Sequence, residues 1–238
     1  MTLEAAVHAA WEAVQAAEAQ GRRDLALARL DALIVALGAL SSAARLRWCL
    51  DHAPGPRAGG PVVRAPLLDR VLIPALVEGV LAQAPGCARV LARQDLYAVQ
   101  RRAPAGNPLL RLPPDLRHPE GLLRAALRLD PSDEAAREDL CAQVASWLRS
   151  CLHGLPTGLL YGVDGATLGQ MDELDEAFAT LLANANTPEL GERYAALRAD
   201  CERHLPAYRA YLGCLPVDGG YPAFLGVWVG PGSGMNGD

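Results

Sequence analysis

The sequence predicts an all-α protein, and three observations carry that reading. Apolar residues recur at three- and four-residue steps along most of the chain, which places them on one face of a helix. Leu and Ala are abundant whereas Phe occurs only twice, a balance that favours helices over sheets. Pro and Gly gather in a few separated stretches that no regular element tolerates. The expected architecture is an irregular multi-helix domain of antiparallel helix pairs, stacked in a solenoid-like manner in one arrangement, with long Pro/Gly-rich loops. It spans residues 1–213, with a candidate sub-boundary in the loop 53–66 and a Gly-rich aromatic tail over 214–238.

Leu3, Val7, Trp11 or Ala10, Val14 and Ala17 form the apolar face of a first helix, ended by Gln20-Gly21. A second helix runs from Asp24 through Leu27, Leu30, Ile34 and Leu37 and is apolar on so many sides that a central position is expected. The helical pattern continues to Trp48 and Leu50, with a break expected at Gly38. The stretch from Ala53 to Pro66 then holds four Pro and three Gly, the mark of a loop or linker. PLLDRVLIPALVEGVLAQ follows as a helix opened by Pro66 and disturbed at Pro74, with Leu67, Val71, Ala75 and Val80 inward. A shorter helix after Pro85-Gly86 carries Val90, Leu91 and Tyr97, and a loop with five Pro runs from Ala103 to Pro119.

The most regularly patterned stretch lies over 119–153. LLRAALRL precedes, and EAAREDLCAQVASWLRSCLH follows, the turn Asp130-Pro131-Ser132-Asp133. Asp130 is expected as the N-cap with Pro131 at the first helical position, where a missing N–H costs nothing. Asp133 would then favour the positive helix end. Ala136, Leu140, Val144, Trp147, Leu148 and Cys151 make the inward stripe of this helix. It spans about 22 residues or roughly 33 Å, with Gly154 as its left-handed terminator.

LLRAALRLDPSDEAAREDL resembles the junction between two tetratricopeptide repeats, carried by Ala126, Leu129 and Pro131 at a closing repeat and Leu140 in the next opening helix. Gly21, Ala26 and Leu30 echo the same family more faintly. The resemblance implies stacked helix-turn-helix units that bind peptides or protein surfaces. The chain departs from the pattern at Gly38, where the closing proline should stand, and over His153–Gly165. No self-similarity recurs at the family period of about 34 residues.

Beyond the central pair, LPTGLLYGVDGA over 155–166 carries Leu159, Leu160 and Tyr161 on a backbone punctuated by Gly158, Gly162 and Gly165. Large apolar groups on such a loop must be covered, by the rest of the domain or by a partner or ligand. Thr167 and Gln170 make a capping box. The helix they open should bury Met171, Leu174, Phe178 and Leu181 or Leu182. Thr187-Pro188 opens another with Leu190, Tyr194, Leu197, Cys201 and Leu205 inward, up to Pro206 and a last turn to Gly213. Tyr221, Phe224 and Trp228 in the tail are expected to dock on the helices, with a short strand near Val227–Gly230 and the last eight residues disordered.

Charge and chemistry narrow the function classes. No Lys is present, so Schiff-base chemistry and the phosphate-loop lysine are excluded. Residues 1–130 carry 16 Arg against 12 acids (+4) and residues 131–238 carry 6 Arg against 15 acids (−9). The acidic half argues against a nucleic-acid surface, and Arg89, Arg93, Arg101, Arg102, Arg111 and Arg117 read as a solvated basic face. The six Cys have no metal-like spacing and read as reduced core residues. The N-terminus lacks signal-peptide character and no apolar run is long enough for a bilayer, so a soluble cytoplasmic protein is expected. Asp172, Glu173, Asp175 and Glu176 share a helix with no Glu-x-x-His companion, and Cys201 beside Asp200 and His204 falls on a core stripe. No catalytic residue, metal or cofactor is therefore expected. The leading functional expectation is a non-enzymatic scaffold or adaptor that binds another protein through Trp147, His153, Leu159, Leu160, Tyr161 and Asp164. The alternative is a small-molecule-binding helical protein or enzyme, with the loop 155–166 as a lid and Asp164, His153 and Tyr161 lining a pocket.

Overall fold

The computed structural model describes residues 2–53, 65–102, 106–214 and 217–228, and among these the secondary structure is helical throughout, without strands. The chain divides into two compact units, residues 1–136 and 137–238.

The first unit opens with α1 (Leu3–Ala19), capped by the Thr2 hydroxyl accepting from the Ala5 amide at 3.3 Å. Gly21, at φ +67°, turns the chain into α2 (Arg23–Ala39). Val7, Trp11, Val14 and Ala17 pack against α2, which buries Ala26, Leu30, Leu33, Ile34 and Leu37. The central position expected for α2 is not realised. Val35 is 71% exposed and Leu27 is also on the surface, so α2 is an outer helix with surplus apolar residues on its solvent side. The break lies at Leu40-Ser41 rather than Gly38, because the Ser41 hydroxyl accepts from the Ala44 amide and caps α3 (Ser42–His52).

Chain segment 54–64 lies outside the described residues, and with it most of the Pro/Gly-rich stretch. α4 (Ala65–Leu67) passes directly into a π turn, Leu68–Leu72, and then α5 (Ile73–Leu81). The disturbance expected at Pro74 takes this form. Pro74 has no N–H to donate back one turn, and just before it the Ile73 amide reaches the Leu68 carbonyl, a five-residue closure. Leu67, Val71, Ala75 and Val80 are buried as expected. The next helix is two helices, α6 (Cys87–Ala92) and α7 (Leu96–Arg102), separated where Asp95 caps the second by accepting from the Ala98 amide at 2.9 Å. Tyr97 therefore sits apart from Leu91 and is 68% exposed, under the Arg101 guanidinium. A helical Gly79 is required on α5, since a Cβ there would collide with the Cys87 sulfur of α6.

The Pro-rich stretch, described from residue 106, folds into two 3-10 turns, Pro108–Arg111 and Pro114–Leu116, and leads into α8 (Pro119–Leu129). The start of α9 (Glu134–Leu152) corrects the expectation for Asp130 and Pro131. The Asp133 carboxylate caps the helix by accepting from the Ala136 amide at 2.9 Å, while Asp130 accepts from the Ser132 amide and hydroxyl in the preceding turn.

In the second unit, α9 buries Leu140, Cys141, Val144, Ala145, Leu148 and Cys151, with Trp147 half-buried at the margin. α10 (Leu168–Asn184) starts at the expected capping box and buries Met171, Leu174, Ala177 and Leu181; Phe178 is half-buried and Leu182 exposed. α11 (Pro188–Gly213) packs on α10 through Leu190, Tyr194, Leu197, Cys201 and Leu205 and runs through Pro206. In place of the strand expected near Val227, residues Gly220–Val227 form α12, whose Tyr221 is buried against Tyr208 and Tyr211 of α11. Residues 229–238, including the segment expected to be disordered, lie outside the described residues.

Candidate functional site

The loop between α9 and α10 is built around its glycines and one distant tyrosine. Gly154, expected in the left-handed region, has φ −81°, and its glycine character serves a close approach instead: a Cβ would fall 2.9 Å from the Leu159 carbonyl oxygen. The turn Leu155–Thr157 ends at Gly158, which adopts φ +89° and lies so near α12 that a Cβ would meet Pro222 Cδ at 2.9 Å. The chain then doubles back. The Leu159 amide donates to the Gly154 carbonyl and the Tyr161 amide to the Cys151 carbonyl at 3.0 Å, satisfying an acceptor at the end of α9.

Leu160 points inward and is fully buried. The backbone at Leu160 and again at Ala166 lies against the hydroxyl of Tyr208 on α11, so the loop rests on this one phenol at two places. Burial raises the Tyr208 pKa, outweighing the effect of the facing backbone, which favours the phenolate. Gly165, at φ +80°, passes over the same hydroxyl, where a Cβ would stand only 2.7 Å away.

Between these fastenings stands Tyr161 at φ +74°, a left-handed conformation that bulky residues rarely adopt. Three contacts hold it there: the backbone bond to Cys151, a hydroxyl donating to Glu173 Oε2 at 3.0 Å, and an edge-on approach to the Trp147 ring at 6.1 Å. The bond to the Glu173 carboxylate retains the Tyr161 proton and raises its pKa. The structure thus brings together Trp147, Tyr161 and Glu173. Leu159 is partly exposed and Leu160 is turned into the unit, while His153 and Asp164 are exposed and make no hydrogen bond to the other loop residues. Val163, at the tip between Gly162 and Gly165, is 86% exposed, and Leu168 at the start of α10 is 55% exposed. Sequence reasoning missed Val163, Leu168 and the anchoring role of Tyr208. Val163 was legible as an apolar residue between two loop glycines; Tyr208, remote along the chain, left no local trace.

The other constellations are internally satisfied. The Arg209 guanidinium bridges Asp172 and Asp175 at 2.7 Å each, so the acidic face of α10 is partly neutralised. Cys201 is buried and its thiol is pushed up to about 12, by burial first and then by the charges of Asp200 and Glu202, while His204 pairs through Nδ1 with the Tyr221 hydroxyl at 2.8 Å. The basic cluster of the first unit is spent on structure: Arg102 forks onto Asp69, Arg111 meets Glu78, Arg89 meets Asp133, and Arg117 donates to the carbonyls of Leu110 and Leu112. Among the described residues no group of three or more His, Cys, Asp or Glu is placed to hold a metal ion. None of their helices is long and apolar enough to cross a membrane.

A cleft of about 220 Å³ opens between α1 and α3, lined by Glu4, Val7, His8, Leu40, Ala44, Arg47, Trp48 and Asp51. The Trp48 ring lies flat against His52, centroids 4.6 Å apart, and Trp11 meets it edge-on at 5.8 Å. Its indole N–H is buried and has no hydrogen-bond partner among the described residues. In the sequence, Glu4 and His8, and Arg47 and Asp51, are each four residues apart and so share helix faces, which is the signal that could have found this cleft. Comparison with protein-family models, curated proteins and solved structures finds no match for this chain.

Proposed function

We propose that this protein is a non-enzymatic adaptor that engages another protein through the loop 155–166 and the adjoining start of α10. The observation that carries the reading is Val163, 86% exposed at the tip of a loop held by the buried Leu160 and by backbone bonds back to Gly154 and Cys151. An apolar tip on a pre-ordered stem binds without the entropic cost of ordering a free loop. Residues 137–238 hold 13 acids against 6 Arg, a net −7; Asp164 adjoins Val163, and Glu173 is held against Tyr161 of the same loop. The partner surface is accordingly basic around a small apolar recess. The resemblance of 122–140 to protein-binding helical repeats supports the same class. The six free cysteines, five of them buried, suit a reducing compartment and support a cytoplasmic location.

In the alternative reading the same loop is a lid over a small ligand. Opening it would withdraw Leu160 from the interior and break the backbone bonds of Leu159 and Tyr161 to Gly154 and Cys151, so the held geometry favours a fixed docking surface. A photo-crosslinking residue at position 163, compared with the same residue at exposed Val35, tests the proposal. The expected result is a partner crosslinked from 163 alone, lost at high salt and lost when Leu168→Ser and Asp164→Asn are introduced. Equal crosslinking from both positions, or binding indifferent to salt and to these substitutions, would remove the loop from the interface.

A further inference from the structure

We propose that the cleft between α1 and α3 binds a small zwitterion of the free amino acid type. Its walls divide by chemistry. Val7, Leu40, Ala44 and the Trp48 ring are apolar, and the π-stack on His52 with Trp11 edge-on holds that ring in place. Around them stand two carboxylates, Glu4 and Asp51, and one guanidinium, Arg47. None of these three is in an ion pair among the described residues, while His8, the other polar residue of the lining, faces Glu12 at 3.2 Å. Arg47 and Asp51 are four apart on α3, but the base precedes the acid, the weaker order for a helical pair, and they remain separate.

Unpaired charges of both signs at the mouth of an apolar cleft call for a ligand that carries both. A carboxylate fits Arg47, whose planar fork can donate two parallel hydrogen bonds, and an ammonium fits Glu4 and Asp51. An aliphatic side chain then covers Trp48. A space of about 220 Å³ falls below the roughly 300 Å³ at which pockets for drug-sized ligands begin, so the ligand is of metabolite size. This inference is independent of the docking loop, which belongs to the other unit.

Calorimetric titration of the full chain with the free amino acids, followed by the amide and the N-acetyl derivative of the best binder, tests it. The expected result is saturable binding of at least one apolar amino acid, weakened tenfold or more in each derivative because one charge is missing. Arg47→Met should erase the preference for the acid over its amide, and Glu4→Gln with Asp51→Asn should erase the preference over the N-acetyl form. All three positions border solvent, so unchanged melting curves will show that the variants fold. Absence of saturable binding at millimolar concentration, or equal affinity for the acid and both derivatives, would overturn the proposal, as would wild-type selectivity in the folded variants.

Discussion

Two of the loops between helices, the Pro-rich and the Gly-rich one, are held by different means. The Pro-rich loop over 106–118 is secured largely by its neighbours in sequence. Asn107 accepts from the Leu109 amide, Arg117 donates to the Leu110 and Leu112 carbonyls, and Leu109 and Leu112 fill the interior beneath. Three prolines, at 108, 113 and 114, restrict its backbone before folding begins, and Pro119 follows at the start of α8. The Gly-rich loop over 153–167 has one proline, Pro156, and besides its backbone bonds to Cys151 and Gly154 it leans on groups further along the chain, Glu173 on α10 and Tyr208 on α11. The comparison separates two ways to order an irregular segment. Proline lowers the entropy of the unfolded chain, whereas the glycine loop relies more on contacts that form only once the later helices are in place.

The largest effect should come from Leu160→Ala, which empties a fully buried site in the Gly-rich loop. A loss of about 2–5 kcal/mol is expected in denaturant unfolding. Val163→Ser, three residues away and exposed, serves as the control and should stay within about 0.5 kcal/mol of the parent. If Leu160→Ala is as mild as the control, the loop is not part of the core. Next is Gly121→Ala on α8. A Cβ there would collide with the Asp115 carbonyl oxygen, a backbone atom that cannot swing aside. A cost near 3 kcal/mol is expected, with the added strain confined to the Pro-rich loop in hydrogen exchange. Faster exchange of Leu160 or Ala166 instead would mean that the two loops are not independently held. The smallest of the three is Tyr208→Phe, which keeps the ring and removes the hydroxyl that the loop backbone faces. About 1–2 kcal/mol should be lost, and the Leu160 and Ala166 amides should exchange faster while Leu109 and Leu112 are unchanged. Unaltered exchange at 160 and 166 would mean that this hydroxyl does not order the loop.

The helices were legible wherever a local rule dominates. The stripes Leu140, Val144, Leu148 and Cys151, and Leu190, Tyr194, Leu197, Cys201 and Leu205, are buried as their spacing requires. The capping box at Thr167 and Gln170 stands where expected because both partners lie within one turn. Competing local signals caused the misreadings. Asp130 and Asp133 are both good caps, and only packing selected Asp133. Apolar residues on every side of α2 suggested a central helix, yet nothing in the sequence says whether a second face will meet a neighbour. Of the loop residues singled out, Trp147 and Tyr161 do meet, while Leu160 lies inside the unit.

By itself the sequence determined the helical class, the position of most helices and the exclusion of lysine chemistry, because periodicity, caps and composition act over a few residues. The tertiary structure alone decided which phenol lies beneath the loop, that Tyr161 takes a left-handed conformation against Trp147 and Glu173, and that Glu4, Arg47 and Asp51 gather around Trp48 without an ion pair among the described residues. Each of these joins residues distant along the chain. Such contacts carry no sequence period, and their energies appear only after the helices have packed.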